Sequence, residues 1–428
     1  MKVRQWGNPA VGLQEYTIRR KIRRVLPDEL GSLPEDAHRR FRLSVESEQR
    51  GGGRWLHRFR HEALHPDDAK LTATYFVEVD FPEPIGALDV LDPFVMILAF
   101  RQMTFGGHLE VAGPVSRRLL HQLVFIQGQS YNRWPDQYRP FALEAREIVE
   151  APYAAQRRSE GLLAVSGGVD STLALYRLTD PRLAQSAYPL GLCVTVIGYN
   201  PRANRAADDF EARHLDLMRT LSGRRGLGLG VFRCDFWRIP RYVQRPHGAV
   251  FGGMFALAAP TYPFAVLASS NPSSDPWRDR PSGPEWQSHY GTGGFDVPSV
   301  LGLYTRAERV VLLAGYGPEA CDPLVVCGIE ESLPDNCGRC AKCARTMASF
   351  AMAGLPMPKS FTTELDDKDI GFGASGYPEI GYYAEMLGLA EAFGIDNRVA
   401  RVARRRMRRK ALKRKVADFI AGSRGAEQ

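Results

Sequence analysis

The chain has 428 residues, too many for one ordinary hydrophobic core, and this length fits two or three domains. Its hydrophobic fraction of 44% and charged fraction of 24% are typical of a folded globular protein and argue against a disordered or fibrous chain. The formal net charge is +8, but Arg401–Lys415 holds ten basic and no acidic residues, so the rest of the chain sums to −2. A role in binding polyanions therefore concerns this basic stretch and not the body of the protein.

Neither a signal peptide nor a membrane span is predicted. The segment that begins at Met1 lacks an apolar core and a small-residue cleavage site. The longest uncharged run, Gly248–Ser274, is interrupted by Pro260 and Pro263, which favours a buried helix, a turn and a buried strand. Four of the seven cysteines are clustered, which is typical of a metal site in a reducing compartment. We therefore expect a cytoplasmic protein without a membrane partner.

Residues 1–152 are predicted to form an N-terminal α+β domain. Alternating apolar residues predict two strands, and helical spacing predicts two helices; in chain order these are Phe41–Val45, Ala73–Val79, Asp92–Met103 and Pro114–Leu123. The loop Ser130–Pro140 is rich in aromatic residues and arginines. It either faces a ligand, with Arg133 and Arg139 holding the acceptor, or is fixed by the packing of Trp134.

Residues 153–347 alternate between strands and helices, which predicts an α/β domain with a doubly wound parallel sheet. The predicted strands are Leu162–Val165, Leu190–Gly198, Gly228–Cys234 and Phe264–Ala268, and the predicted helices are Ser171–Leu178, Arg205–Leu221, Val250–Ala259 and Arg306–Ala314. The last helix opens with a capping box, Thr305 to Glu308. Residues 271–297 are predicted to be a loop at the ligand-binding edge of the sheet. Residues 348–428 are predicted to be a helical extension that is basic at 401–415.

The strand Leu162–Val165 runs directly into a glycine-rich turn and a helix. The turn reads Ser-Gly-Gly-Val-Asp-Ser-Thr, and its residues are Ser166, Gly167, Gly168, Val169, Asp170, Ser171 and Thr172. Adjacent glycines leave backbone N–H groups unobstructed, and a helix N-terminus adds donors and positive potential, so the turn suits a phosphate. The lack of a lysine distinguishes it from a Walker A loop. Asp170 implies either a Mg²⁺ between carboxylate and phosphate or a favourable charge at the helix N-terminus.

This string resembles the PP-loop ATP pyrophosphatases, whose fold is HUP-like. The resemblance implies that the loop grips the pyrophosphate end of ATP, with Mg²⁺, and that Ser166, Asp170 and Ser171 are catalytic. In this family a substrate oxygen attacks the α-phosphorus, pyrophosphate leaves, and a nucleophile then displaces AMP. The adenine is expected at the end of the second strand of this domain, near Tyr199 and Asn200, because ligands bind at the carboxyl ends of parallel strands.

Cys327, Cys337, Cys340 and Cys343 have the spacing C-x9-C-x2-C-x2-C. Four thiolates this close in sequence predict a tetrahedral structural Zn²⁺, with Cys321 as an alternative to Cys327. A PP-loop followed by this zinc knuckle resembles the 7-cyano-7-deazaguanine synthase (QueC) family over about residues 160–347. The N-terminal domain, the loop Asn271–Pro298 and the basic tail depart from that family's pattern, so the resemblance implies its fold and chemistry and not its substrate.

Three functions are compatible with the sequence. The resemblance favours an ATP-dependent ligase that adenylylates a carboxylate or carbonyl-type oxygen of a small-molecule or nucleobase acceptor, in a biosynthetic or defence context, and then transfers nitrogen from ammonia or a protein partner. A tRNA- or DNA-modifying PP-loop enzyme would use the tail, residues 401–415, on a nucleic acid. The tail is otherwise a solvated or docked helix. The third alternative is a non-catalytic nucleotide-binding subunit of a larger assembly.

Overall fold

The computed structural model describes residues 39–150, 152–153, 157–199, 209–238, 247–268, 283–327, 335–370 and 377–409. Its strands are β1 Arg40–Arg50, β2 Arg54–Ala63, β3 Ala73–Asp80, β4 Gly107–Ser116, β5 Phe141–Val149, β6 Gly161–Ala164, β7 Leu190–Ile197, β8 Gly228–Cys234, β9 Ala265–Ala268 and β10 Ser299–Val300. Its longer helices are α1 Asp92–Phe105, α2 Arg117–Arg133, α3 Val169–Leu178, α4 Phe210–Gly223, α5 His247–Phe255, α6 Arg306–Ala314, α7 Ala341–Met352, α8 Tyr377–Ala392 and α9, residues 398–409.

Within the described residues, ten strands form one sheet in the order β10-β9-β6-β7-β8-β3-β2-β1-β4-β5. The five strands from β10 to β8 are parallel to their neighbours, whereas β3 pairs antiparallel to β8 and to β2, and β2 pairs antiparallel to β1. The pairings of β4 with β1 and β5 are again parallel. The predicted α/β class is therefore confirmed, with a mostly parallel sheet.

Helices cover both faces of the parallel half because its strands are apolar on both sides. Leu162 of β6 belongs to a core shared with α1 and α5, whereas the next residue, Leu163, belongs to a second core that includes α3, α6 and α7. Continuous apolar strands are the pattern that a sheet covered on both faces requires. The first core also contains residues of β1, β2 and β3, so it extends across residue 152, and the predicted domain boundary there stays a prediction.

Most elements predicted between Gly161 and Ala314 lie close to the predicted positions, and the capping box of Thr305 and Glu308 is present. The predicted helix Pro114–Leu123 is wrong at its start, because Pro114 lies within β4, opposite Glu147 of β5, and the helix begins at Arg117. Strands β2, β4 and β5 were not predicted. Among the described residues, no helix combines the length and the low polarity needed to cross a bilayer.

Candidate functional site

The predicted phosphate loop joins β6 to α3 at the carboxyl end of β6. Gly167 has a φ of +72°, a left-handed conformation that glycine adopts without strain. Gly168 is the N-cap of α3 and supplies no side-chain cap to the first turn of the helix. The first N–H groups of a helix have no partner within it, so the start of α3 offers donors to a ligand at this turn.

Two serine side chains form hydrogen bonds within the loop. The Oγ atoms of Ser166 and Ser171 lie 3.1 Å apart, and the backbone N–H of Ser166 donates to Ser171 Oγ at 3.1 Å. Ser171 Oγ in turn donates to the carbonyl of Gly168 at 3.2 Å. The carbonyl of Gly167 accepts from the backbone N–H of Val325 at 2.9 Å. The loop is thus fixed both by its own serines and by the segment that leads to the cysteine cluster.

Asp170 is paired with two arginines from α6. Its Oδ1 accepts from Arg309 Nη1 at 2.8 Å, and its Oδ2 accepts from Arg306 Nη1. Burial works against ionisation of Asp170, but the charges and hydrogen bonds of Arg306 and Arg309 outweigh it and lower the pKa of the carboxyl group. Arg309 is fully buried, and its remaining donors reach the carbonyls of Tyr304 and Leu301. The carboxylate is therefore ionised, and each of its oxygens accepts a guanidinium donor.

This pairing does not fit the magnesium site that the PP-loop resemblance implies. A Mg²⁺ ion is bound in proteins through carboxylate oxygens, with water and substrate phosphates completing its shell. Asp170 is the sole acidic residue among the described residues that line the adjoining cavity, and each of its oxygens already accepts from a guanidinium group. A divalent cation at Asp170 would have to share these oxygens with two guanidinium groups, whose positive charges would repel it.

The loop opens onto a cavity of about 560 Å³, within the range usual for small-molecule and cofactor sites. One side of the cavity is aromatic. Tyr199 and Phe251 lie there with their ring centroids 4.6 Å apart, and Phe210 stacks on His214 at 5.6 Å. Thr195 Oγ1 lies 3.1 Å from His214 Nε2, and burial lowers the pKa of this imidazole. This side can therefore hold a flat, weakly polar group next to a neutral histidine.

The lining of the cavity also contains cationic side chains. Arg306, Lys342 and Arg345 contribute to its wall, and the Arg345 guanidinium lies 4.0 Å from the centre of the Tyr382 ring. Lys342 and Arg345 belong to the first turns of α7, which begins just after Cys340. Cationic side chains in the lining favour an anionic ligand.

The residues proposed for nucleotide binding do not all line the cavity. Ser166, Gly168, Asp170, Ser171 and Tyr199 line the cavity. Val169 and Thr172 are buried in α3 and do not line it. Gly167 faces Met218 and Val325, and its role lies in the shape of the turn. Asn200 lies outside the described residues.

The four predicted zinc ligands come together in space. The Sγ atoms of Cys327, Cys337, Cys340 and Cys343 all lie within 4.8 Å of one another, with Cys327–Cys340 at 4.0 Å and Cys337–Cys343 at 3.9 Å. Tetrahedral bonds of about 2.3 Å to one Zn²⁺ would place the sulfurs about 3.8 Å apart, so the cluster fits this ion. The backbone N–H groups of Cys340 and Cys343 point at Cys337 Sγ and Cys340 Sγ, at 3.3 and 3.4 Å, as expected around thiolates.

Cys321 is not part of this group. It is buried at the end of the short helix Pro318–Cys321, where burial raises the pKa of its thiol to about 11. Asn336, next to Cys337, connects the cluster to the phosphate loop. Its Oδ1 accepts from the N–H of Val326 at 2.9 Å, and its Nδ2 donates to the carbonyl of Leu324 at 2.8 Å. The intervening Val325 is the residue that bonds to Gly167.

The aromatic loop of the N-terminal region packs against another segment of the chain. The Arg133 guanidinium lies 5.2 Å from the centre of the Trp286 ring, and Trp134 stacks on the same ring at 6.1 Å. Tyr138 is buried, and the backbone N–H of Arg139 donates to the carbonyl of Met103 at 2.6 Å. These contacts are the ones expected if the loop is fixed by packing. The loop contacts Trp286, and the next residue, Gln287, lines the cavity.

The described part of the basic tail is docked. Val399, Ala400 and Ala403 are buried in the second core, while Arg398 pairs with Asp367, and Arg401 and Arg404 pair with Asp396. Arg406 donates to two backbone carbonyls. This is the docked alternative for residues 398–409. Residues 410–415 lie outside the described residues, and nucleic-acid binding through 401–415 stays a prediction.

Arg306, Arg309 and Asn336 were not identified from the sequence. The capping box located the start of α6, but it gave no indication that this helix faces the phosphate loop, because the two segments are 136 positions apart. No family model matches the chain, and neither a curated protein nor a solved structure matches it.

Proposed function

We propose that the chain is an ATP-dependent enzyme of the PP-loop, QueC-like type, which adenylylates a carboxylate or carbonyl-type oxygen of its acceptor and then transfers nitrogen to it. The observation that carries this proposal is the position of the Ser-Gly-Gly turn and the N-terminus of α3 at one end of a cavity with an aromatic side. Phosphates suit the turn, and an adenine ring suits the aromatic side.

In the proposed reaction, an acceptor oxygen forms a bond to the α-phosphorus of ATP while the bond from that phosphorus to the bridging oxygen breaks, releasing pyrophosphate. A nitrogen nucleophile then adds to the activated carbon, and AMP leaves with the oxygen. Ser166 and Ser171 would donate to phosphate oxygens, and His214 with Thr195 would contact the base. An anionic acceptor is favoured because Lys342 and Arg345 line the same cavity.

The zinc cluster would be structural in this enzyme. A Zn²⁺ ion with four thiolate ligands has no open position for substrate, so it supplies rigidity and no reacting group. The segment Leu324–Val326 lies between the cluster and the loop, which supports a role for the cluster in holding the loop.

The test is exchange of labelled pyrophosphate into ATP by purified protein, with candidate carboxylated nucleobases and other acceptors, followed by release of AMP when ammonia is added. Ser166→Ala should lower the exchange rate by roughly ten- to a hundredfold, as expected when a hydrogen bond to a charged phosphate is lost. Ser186→Ala is the matched control, since Ser186 is exposed and does not line the cavity. An enzyme that releases ADP and phosphate, or that retains full exchange after Ser166→Ala, would contradict the proposal.

A further inference from the structure

Two cationic side chains lie next to the phosphate loop. Arg306 and Arg309 both pair with the single carboxylate of Asp170. The N-terminal ends of α3 and α6 add positive potential. Protein groups therefore supply positive charge beside the loop.

The two arginines differ in what they can do. Arg309 is fully buried and bonded to the carbonyls of Tyr304 and Leu301 as well as to Asp170, so it is fixed in the core. Arg306 lines the cavity, with its side chain 14% exposed. Its Nε atom is buried and has no hydrogen-bond partner among the described residues. Arg306 thus presents part of its side chain at the cavity wall, where a phosphate would lie.

We propose that Arg306, held in place by Asp170, is the cation that contacts the phosphates of the nucleotide, and that phosphate binding at this loop does not require Mg²⁺. This inference rests on the proposed function. Asp170 is then a positioning residue for Arg306 and Arg309. The planar guanidinium group matches phosphate oxygens with two parallel donors, a geometry that an ammonium group does not reproduce.

The proposal makes distinct predictions for three substitutions. Arg306→Met leaves Asp170 paired with Arg309 alone and should weaken pyrophosphate binding by roughly 10- to 100-fold, as expected for lost charged hydrogen bonds. Arg306→Lys should recover part of this loss. Asp170→Asn keeps one acceptor oxygen for a guanidinium group and loses the other, so pyrophosphate binding in EDTA should weaken, but by less than in Arg306→Met.

The experiment is calorimetric titration of the full chain with inorganic pyrophosphate and with a non-hydrolysable ATP analogue, each in EDTA and in Mg²⁺. Arg117→Met is the matched control, because Arg117 forms an exposed ion pair with Glu150 and does not line the cavity. Circular dichroism of each variant verifies that it is folded. We expect wild-type protein to bind both probes in EDTA, and Arg306→Met to lose this binding while Arg117→Met retains it.

Two results would overturn the inference and can be told apart. If wild-type protein binds the probes only when Mg²⁺ is present, and Asp170→Asn loses this Mg²⁺-dependent binding, then Asp170 is a metal ligand. The proposed ATP-dependent function would survive that result. If Arg306→Met binds as wild type does in EDTA, Arg306 is not the phosphate contact. Absence of binding of either probe under both conditions would instead contradict the proposed function itself.

Discussion

Arg309 has no exposure to solvent, and its guanidinium group pairs with the carboxylate of Asp170. A buried guanidinium group that loses its counter-ion keeps the cost of desolvation without the compensating attraction. Asp170 therefore has a structural role that is separate from any contact with a ligand. A loss of activity after its substitution has to be interpreted together with a loss of stability.

We predict that Asp170→Ala lowers the free energy of unfolding by about 3–5 kcal/mol, the usual effect of breaking a buried ion pair. Urea denaturation followed by circular dichroism measures this change. Asp296→Ala is the control, because Asp296 is 62% exposed and pairs with Arg118 at the surface. The control should change stability by less than about 1 kcal/mol. Equal stability of Asp170→Ala and wild type would show that Arg309 finds another partner.

Two buried histidines of β2 make stability depend on pH. Burial lowers the pKa of His57 to about 4 and that of His61, which also faces Arg101, to about 3. Each imidazole is neutral in the folded state and takes up a proton on unfolding below its ordinary pKa of about 6.5. Their contribution to stability is thus present above about pH 6.5 and is lost as the pH falls toward the folded-state values.

We predict that His57→Phe reduces the pH dependence of the unfolding free energy between pH 6 and 4.5 by about 1.4 kcal/mol per pH unit, the effect of one proton. Phenylalanine preserves a ring between Trp55 and Phe94. Urea unfolding at several pH values gives the slope. The matched variant is His65→Phe, which removes an exposed histidine from the segment after β2. An unchanged slope in His57→Phe would mean that His57 is protonated in the folded protein.

At the scale of elements, the cysteine cluster controls the segment that bonds to the phosphate loop. We predict that Cys340→Ser lowers bound zinc from about one equivalent and lowers thermal stability together, because metal affinity and folding are linked in such sites. Nucleotide affinity should also fall, since Val325 and Asn336 lie between the cluster and Gly167. Zinc is measured by elemental analysis, and affinity by titration.

Cys321→Ser is the control for this prediction. Cys321 is also buried and lies six positions before Cys327, but it is outside the cluster. This variant should retain its zinc and its nucleotide affinity. Loss of zinc from Cys321→Ser, with retention in Cys327→Ser, would reverse the assignment of the fourth ligand.

The elements that the sequence predicted well share a strong local pattern. Strand β8 is bounded by Gly228 and Cys234 as predicted, and α6 follows its capping box. Strand β2 has His57, Phe59 and His61 on its buried face, with the exposed Arg58 and Arg60 between them, so two of these three buried residues are histidines and the apolar pattern is weak. Its identity as a strand depends on pairing with β1 and β3, which are contacts that local sequence does not specify.

The candidate site shows the same division between local and long-range information. The Ser166–Ser171 turn and the cysteine cluster were identified because their residues are adjacent or closely spaced in sequence. The pairing of Asp170 with Arg306 and Arg309 was not identified, because it depends on how α6 packs against α3. Two isolated arginines in a helix give no signal of their partner in a sequence that is rich in arginine.

At the scale of the molecule, the antiparallel pairing of β3 with β8 joins the two halves of the sheet. Phe81, just after β3, packs edge-on against Phe232 of β8 at 5.3 Å, and both rings are buried. A chain that starts at residue 153 would expose this face and the hydrogen-bonding edge of β8. Exposed strand edges and apolar faces promote aggregation.

We predict that a fragment of residues 153–428 does not fold as a soluble monomer, and that co-expression with residues 1–152 restores it. Size-exclusion chromatography and cooperative urea unfolding are the measurements. A fragment of residues 153–428 that unfolds cooperatively as a monomer would establish the predicted boundary at 152 as that of an independent domain. The strand pairing could not have been anticipated from sequence, because the two strands each have a regular pattern and neither specifies its neighbour.

The same pairing has a consequence for the ribosome-bound chain. Glu78 of β3 and Arg233 of β8 form an ion pair across 155 sequence positions. At translation rates of about 5–20 residues per second, roughly 8–30 seconds pass between the synthesis of β3 and that of β8. During that interval the nascent N-terminal half presents an open edge and an incomplete core to other chains in the cell. Chaperone dependence in vivo, and a yield that falls when elongation is slowed, are therefore expected to depend on this one strand pair.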